Sequence, residues 1–406
     1  MVDRPAAPQY RWHTIAYQRT VLVAVHTLTS LLRLEDILPL LEADARIQLV
    51  YTQVPDELGD GVSQRLRDLQ VKVLPWAEAR RGIFDLVIAA SQHRLEDIPA
   101  RRRLASPHGA GYNKLWPADL LTDEDGTRPV YGLDRQSLLH NGEPTVDALL
   151  LPHQDHLATL SRQCPEAVSR AVVAGDPCFD RTLACREQRE RYRHELGVRS
   201  SQVLVSVAST WGQESLLAQH REVLLRLPAE LPASHRVIAT AHPAVWAEHS
   251  ARQLRSWLRD VRDAGVDLVD AGEDWRGLIA ATDVLIADYS SLAVYAAAVR
   301  IPVLLSHFPV TEIDPNSVMA ALAEVSPQLM PGIPLSNQLM AAREAQQRQW
   351  QVAHDRVTSR PGESASIIRK TLYELLELSE PLGLAGWPAL RTPRLVQDEP
   401  HPWMPV

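Results

Sequence analysis

The chain is expected to fold as an α/β protein with two parallel-sheet domains facing one another across a cleft. Three observations lead there. Its 406 residues exceed one ordinary domain. Short apolar runs alternate with helix-compatible segments in two successive series, the pattern of βαβ units. The stretch Asp283-Val284-Leu285-Ile286-Ala287-Asp288-Tyr289-Ser290-Ser291 passes from four apolar residues, suited to a strand covered on both faces, into a hydroxyl-rich turn and a helix. The first turn of a helix presents unpaired N–H groups and a partial positive charge, and serines add donors. A phosphate-bearing ligand is therefore the first expectation.

In the first half, residues 1–18 read as a lead-in, and 20–25 (TVLVAV), an unbroken β-rich run, predict a strand. Residues 31–42 predict a helix, 47–51 and 71–74 further strands, and 84–89 (FDLVIA) a fourth, while 148–151 and 171–173 close the series. The pattern then restarts, with strands at 202–207, 236–239, 266–269, 284–287 and 301–305 and helices at 220–227, 246–264 and 274–280. Polar, helix-compatible residues 176–200 lie between the two series, so the expected units are 1–175, 176–362 and a terminal helix and tail, 363–406. Residues 336–357 and 363–378 read as helices separated by Pro361-Gly362, with Glu363 or Ser364 starting the second. Beyond Ser379, prolines with Trp387 and Trp403 predict an extended tail packed on the body.

Bulk properties narrow the function. A hydrophobic content of 45% suffices for two cores, and a formal net charge of −8 argues against a general nucleic-acid binder, which would carry basic stripes. Cys164, Cys178 and Cys185 cannot all pair and lack metal-ligand spacing, which fits a reducing cytoplasm. No charged start followed by an apolar stretch marks a secretory signal, and no apolar run approaches the thickness of a bilayer. A soluble cytoplasmic protein is expected, with peripheral contact at the inner face of a membrane left open. The excess of Arg over Lys, with abundant Ala and Leu, speaks of a GC-rich bacterial genome. Nothing in the chain bears on oligomeric state.

Ligands of open parallel sheets lie at the carboxyl ends of the strands, so polar groups that follow predicted strands are the candidates. Ser106-Pro107-His108-Gly109-Ala110-Gly111-Tyr112-Asn113-Lys114 joins glycines that permit close approach, a histidine able to act as a general base and a lysine able to neutralise phosphate. The same residues would also make a plain glycine-rich surface turn. Ala239-Thr240-Ala241-His242-Pro243 sets a histidine after a strand, where it can donate to a diphosphate or simply cap the strand end. Ser209-Thr210-Trp211-Gly212 offers hydroxyls for phosphate and an indole to wall a base or sugar, although a hydroxyl-rich loop is the plainer reading. In Asp288-Tyr289-Ser290-Ser291 the Asp or a Ser can also serve as an N-cap. Gly175-Asp176-Pro177-Cys178-Phe179-Asp180 reads as a hinge turn between the units, and Cys178 receives no nucleophilic role because no base partners it. His13, His26, His93, His153, His156 and His307 stand isolated; His153 and His156 are neighbours, but no third metal ligand accompanies them.

Taken in order, the five groups resemble the CDP-glycerol glycerophosphotransferase family of teichoic-acid primases and polymerases. That family shows a His-Gly turn with a following lysine (here His108-Gly109 and Lys114) and a Gly-x-Pro-x-x-Asp turn (Gly175, Pro177, Asp180). It also shows a Thr-Trp segment (Thr210-Trp211), a His-Pro segment (His242-Pro243) and an Asp-Tyr-Ser-Ser turn (Asp288 to Ser291). Glu273-Asp274-Trp275 is similar to its acidic lead-in and Pro361-Gly362-Glu363-Ser364 to its closing Gly-x-x-Ser, so the likeness spans about residues 84–378. The resemblance implies GT-B architecture, two Rossmann-like domains with the donor held mainly by the second. It implies metal-independent transfer from a nucleotide-activated donor, which is a substrate and not a cofactor, to an acceptor hydroxyl. By position it makes His108 the general base, acting with His242 at the catalytic centre. His242, Ser290 and Ser291 would hold the donor diphosphate with Asp288 in the same turn, Thr210 and Trp211 would lie near the nucleotide, and Gly109 and Lys114 at the acceptor or phosphate.

Three of the motifs depart from the family's pattern. Thr240 and Ala241 precede His-Pro where a basic residue is usual, Gly212 replaces an arginine after Thr-Trp, and Tyr295 replaces an acid on the helix after Asp-Tyr-Ser-Ser. The lost charges open two alternatives to a CDP-glycerol donor: a glycosyltransferase or epimerase-like enzyme using a nucleotide sugar, and a non-catalytic binding protein of the same fold.

Overall fold

The computed structural model describes residues 14–117 and 127–397. His13 and Trp403 lie outside them. The first half supplies β1 (Arg19–Val25), β2 (Ile47–Gln53), β3 (Phe84–Ala89), β4 (Ala100–Ala105), a short antiparallel pair β5 (Leu139–His140) and β6 (Glu143–Pro144), then β7 (Ala148–Leu151) and β8 (Ala171–Val173). The second supplies β9 (Val203–Ser209), β10 (His235–Ala241), β11 (Val266–Leu268), β12 (Val284–Ala287) and β13 (Val303–Leu305). They form two parallel sheets, in the orders β2-β1-β3-β4-β7-β8 and β11-β10-β9-β12-β13. In both, the first strand of the unit lies inside and the order reverses beside it, the doubly wound arrangement that opens a crevice at the strand ends. All four residues of β12 are buried, as expected of a strand covered on both faces.

Several elements differ from expectation. The strand expected at 71–74 shrinks to one bridge between Tyr51 and Val73, because Val73 stays exposed and gains nothing from further pairing. β4 went unpredicted: its arginines at 101 and 102 are exposed, and only Leu104 and Ala105 are buried, too short an apolar signal to read. The helix expected at 31–42 splits into Leu28–Leu34 and Pro39–Glu42. Its true start is a capping box in which Thr27 Oγ1 accepts the Ser30 N–H and Ser30 Oγ accepts the Thr27 N–H. The helix expected at 246–264 breaks into Pro243–His249, Ala251–Trp257 and Arg259–Asp263, the first break at Ser250 with φ +59°.

The chain returns to the first unit after the helix Leu335–Val357. The next helix, Ser364–Leu376, packs Ile368, Leu372 and Leu376 among Val21, Val23 and Ile88 of the first sheet. From there the tail runs extended. Trp387 Nε1 donates to the Asp36 carbonyl at 2.7 Å, and Val396 N–H reaches the Leu268 carbonyl at 2.8 Å on the edge of the second sheet. The two units are therefore laced together by a crossing helix and a strap.

Candidate functional site

Strand ends bring the candidates together. β4 runs out into His108-Gly109, β9 into Thr210-Trp211, β10 into His242, and β12 into Asp288-Tyr289-Ser290, each at the carboxyl edge of its sheet. Turns far apart in sequence touch: the Ala110 N–H donates to Ser291 Oγ at 3.0 Å, and a Cβ on Gly109 would stand 2.7 Å from that oxygen. Position 109 lacks a side chain because the serine hydroxyl fills that space.

The Ala90 carbonyl, just past β3, favours the protonated form of the His108 ring. A neutral imidazole carries one ring N–H and leaves the other nitrogen free to take a proton. Loss of solvation, then the cations Lys114 and Arg33, push the His108 pKa down to about 4. The side chain keeps an exposed face towards solvent, and water there tempers the depression. Either way the imidazole is neutral at pH 7.

His242 is partly buried on the other side. Its Nδ1 accepts the Ala244 N–H at 3.1 Å, so the ring proton resides on Nε2, which donates to Thr29 Oγ1 at 3.0 Å. Burial first, then Lys114 and His108, push its pKa to about 3. The second unit thus presents a neutral N–H donor to the first. Lys114 crosses in the opposite sense, with Nζ 5.2 Å from the Trp211 ring centre and 5.8 Å from that of Tyr289, within cation–π range. Desolvation lowers its pKa while Asp288 and Glu312 oppose the change. Its backbone bridges to Ile313, and the Asp314 N–H donates to the Asn113 carbonyl at 2.8 Å.

Ser290 is the N-cap of the helix Ser291–Ala298, yet its hydroxyl makes no capping bond and, though buried, has no partner in the protein. An idle hydroxyl beside uncapped first-turn N–H groups suits an anion. Asp288 behaves differently. It is fully buried, and Oδ2 accepts the N–H groups of Thr210 at 2.7 Å and Leu216 at 3.0 Å. Burial pushes its pKa up to about 6 against the pull of those donors. Asp288 holds the Thr210 loop against β12 and exposes no oxygen to the crevice. Thr210 is itself buried, whereas Trp211 is exposed.

The hinge turn meets the closing motif. Asp180 Oδ1 accepts the Gly362 N–H at 2.8 Å, and Oδ2 accepts both the N–H and the hydroxyl of Ser364. Gly175, at φ +82°, lies so close to the Arg360 carbonyl that a Cβ would come within 2.8 Å of it. Cys178 is buried and its thiol is pushed up to about 12, consistent with an inert cysteine. His153 caps the helix Gln154–Gln163 with its side chain, and among the described residues no three His, Cys, Asp or Glu side chains group as a metal site. Sequence reasoning missed Thr29, Arg33 and Asp36, three polar residues in and beside a helix of the first unit. Asp36 accepts from Arg181 at 2.7 Å and pairs with Arg276, charges that come from the far side of the hinge. The one available signal was the charged cluster Arg33, Glu35 and Asp36 among the leucines and isoleucine of residues 31–41.

Residues 143–305 match the family model of CDP-glycerol:poly(glycerophosphate) glycerophosphotransferase. Among solved structures, the wall teichoic acid polymerase TagF, as a histidine-to-asparagine variant soaked with CDPG, aligns at 14% identity and TM-score 0.58 over 89% of each chain. A second TagF structure aligns at 13% identity and TM-score 0.56, again over 89% of each chain. HepE from Anabaena, in complex with UDP and glucose, aligns at 13% identity and TM-score 0.48 over 89% of this chain and 100% of that one. No curated protein matches the sequence. The likeness to TagF establishes the GT-B fold, and the match over 143–305 bears out the family resemblance carried by the motifs. No helix among the described residues is long and apolar enough to cross a membrane.

Proposed function

We propose, starting from the glycerophosphotransferase match over residues 143–305, that this GT-B chain transfers a glycerol-phosphate-like group from a CDP-activated donor to an acceptor hydroxyl. The observation that carries the reading is the contact between the His108 turn and the Ser291 helix, through the Ala110 N–H and Ser291 Oγ. It puts a neutral imidazole with one free nitrogen next to a helix terminus with an idle hydroxyl. In this reading His108 takes the proton of the acceptor hydroxyl, whose oxygen attacks the donor phosphorus. The bond to the departing CMP breaks. Charge developing on that phosphate meets Ser290, the first-turn N–H groups and Lys114, and His242 Nε2–H as it exchanges Thr29 Oγ1 for the phosphate. Trp211, exposed beside Lys114, supplies a flat wall for the base. Asp288 acts by holding the Thr210 loop. These groups suffice chemically without a metal, and the donor enters as a substrate.

A second reading is a nucleotide-sugar donor on the same site. The Tyr295 hydroxyl is consumed by Asp176 and Arg33, so the helix Ser291–Ala298 lacks the carboxylate of the family's pattern and leaves the choice of nucleotide open. A thermal-shift panel of CDP-, UDP- and GDP-linked donors separates the readings. The first expects stabilisation by cytidine ligands, and CMP release that His108→Ala abolishes. Stabilisation by UDP-sugars alone would establish the second. No response to any donor would leave a non-catalytic binding protein.

A further inference from the structure

The geometry points to Arg33 as a positioning residue that sets the spacing between the His108 turn and the phosphate-turn helix, with Asp176 and Tyr295 as its partners. The inference rests on the reading of the crevice given above. Arg33 lies in the helix Leu28–Leu34 and its guanidinium is buried. Nη2 donates to the Gly109 carbonyl at 3.1 Å and to the Tyr295 hydroxyl at 2.5 Å, while Nη1 donates to Asp176 Oδ1 at 3.0 Å. One planar fork therefore ends on three segments: the turn next to His108, the hinge turn between the units, and the helix that begins at Ser291.

The partners close a ring. Tyr295 donates its own proton to Asp176 Oδ2 at 2.8 Å, and Asp176 Oδ1 caps the helix Pro177–Glu187 by accepting the N–H groups of Cys178 and Phe179 at 2.8 and 3.1 Å. The ring also gives the departure at position 295 a physical reason. A tyrosine hydroxyl accepts from Arg33 while donating to Asp176, whereas a carboxylate accepts only and would set a second negative charge against Asp176. Lysine cannot replace Arg33 without loss, because a single ammonium does not present the fork that reaches all three partners. Tyr295 stacks on Trp275, ring centres 5.7 Å apart and 21° from parallel, which locks the phenol in place.

The test uses Arg33→Lys, Arg33→Met and Tyr295→Phe in the full chain. Two readouts run in parallel: kcat and KM with whichever donor the thermal-shift panel selects, and NMR of the ligand-free protein. In the NMR arm the His108 ring is assigned with His108→Gln, and the Ala110 and Ser291 amides report the contact between the turns. The charged groups acting on the His108 ring are Lys114, Arg33 and His26. Arg33→Lys is expected to fold, to keep the His108 titration midpoint, to move the Ala110 and Ser291 amide signals, and to lower kcat about tenfold or more with KM little changed. Arg33→Met, lacking the charge, is expected to raise the His108 midpoint by about half a pH unit or more. Tyr295→Phe is expected to move the same amides as Arg33→Lys. Should Arg33→Met unfold through the unpaired Asp176, Arg33→Lys and Tyr295→Phe decide alone. Wild-type amide signals in Arg33→Lys, or a wild-type kcat, would overturn the inference. If the wild-type protein turns over no donor, the proposed function fails, and the NMR arm still judges the role of Arg33.

Discussion

Ser291 accepts the backbone N–H of Ala110 at 3.0 Å, so the helix suited to a donor phosphate is fastened by its first residue to the turn that carries His108. The fastening depends on Gly109, whose missing side chain leaves room for the serine hydroxyl.

Gly109→Ala tests that room. The backbone there is outside the left-handed region, so alanine meets only the contact with Ser291 Oγ at 2.7 Å. Ser291 must rotate away and the bond to Ala110 breaks. A loss of about 1–2 kcal/mol in urea unfolding and weaker nucleotide binding are expected. The double variant Gly109→Ala/Ser291→Ala should be no less stable than Ser291→Ala alone, because the clash has gone. Additive losses would show that the two turns do not touch.

The pH–rate profile reports His108. A base with its pKa depressed to about 4 is competent above that value and is lost as the pH falls through it, so the acid limb of kcat/KM should lie well below the ordinary 6.5. Lys114→Met removes the strongest charge acting on the ring and should move the limb upward. His108→Gln should lower kcat by about a hundredfold or more while leaving nucleotide affinity nearly intact. A limb that ignores Lys114 would remove His108 from the role of base.

Acid sensitivity of the fold follows from His242. Its folded pKa, about 3, lies below the ordinary 6.5, so the unfolded chain takes up the proton first. The stabilisation is complete above about 6.5 and is lost as the pH falls towards about 3. Chemical denaturation between pH 7 and 4 should therefore show a shallower decline for His242→Gln than for the wild type.

Asp288 separates anchoring from charge. Its Oδ2 accepts two buried N–H groups, which an asparagine oxygen can also do. Asp288→Asn should fold with near-wild-type stability, whereas Asp288→Ala strands both donors and should cost about 2–4 kcal/mol. Nucleotide binding should survive in the asparagine variant. Its loss there would mean that the carboxylate charge acts on the ligand directly.

Ser364→Ala removes a hydroxyl that donates to the buried Asp180. About 1.5–3 kcal/mol should be lost, as for hydrogen bonds to charged groups. Limited proteolysis should cut faster near residues 358–364, where the chain crosses back to the first unit. Unchanged cleavage would show that the crossing is held by the apolar face of the last helix alone.

Much of this protein was legible in its residues because strand ends are local facts. The runs at 84–89, 148–151 and 284–287 coincide with strands, since four or more consecutive apolar residues can be buried on both faces only inside a covered sheet. The hydroxyls and histidines that follow such strands fall at the carboxyl edge by topology, which is why His242 and Ser290 could be named from order, whereas His108 follows the unpredicted β4 and stood out by its neighbouring glycines and Lys114. What the residues could not disclose depends on partners distant in the chain, 76 to 119 positions away in the three cases that follow. That Asp288 is taken up by backbone N–H groups, that the Tyr295 hydroxyl reaches Asp176 and that Arg33 reaches the Gly109 carbonyl are hydrogen bonds between segments far apart in the chain. A buried polar group takes its role from the partner that satisfies it, and that partner is chosen by the three-dimensional packing of the two sheets.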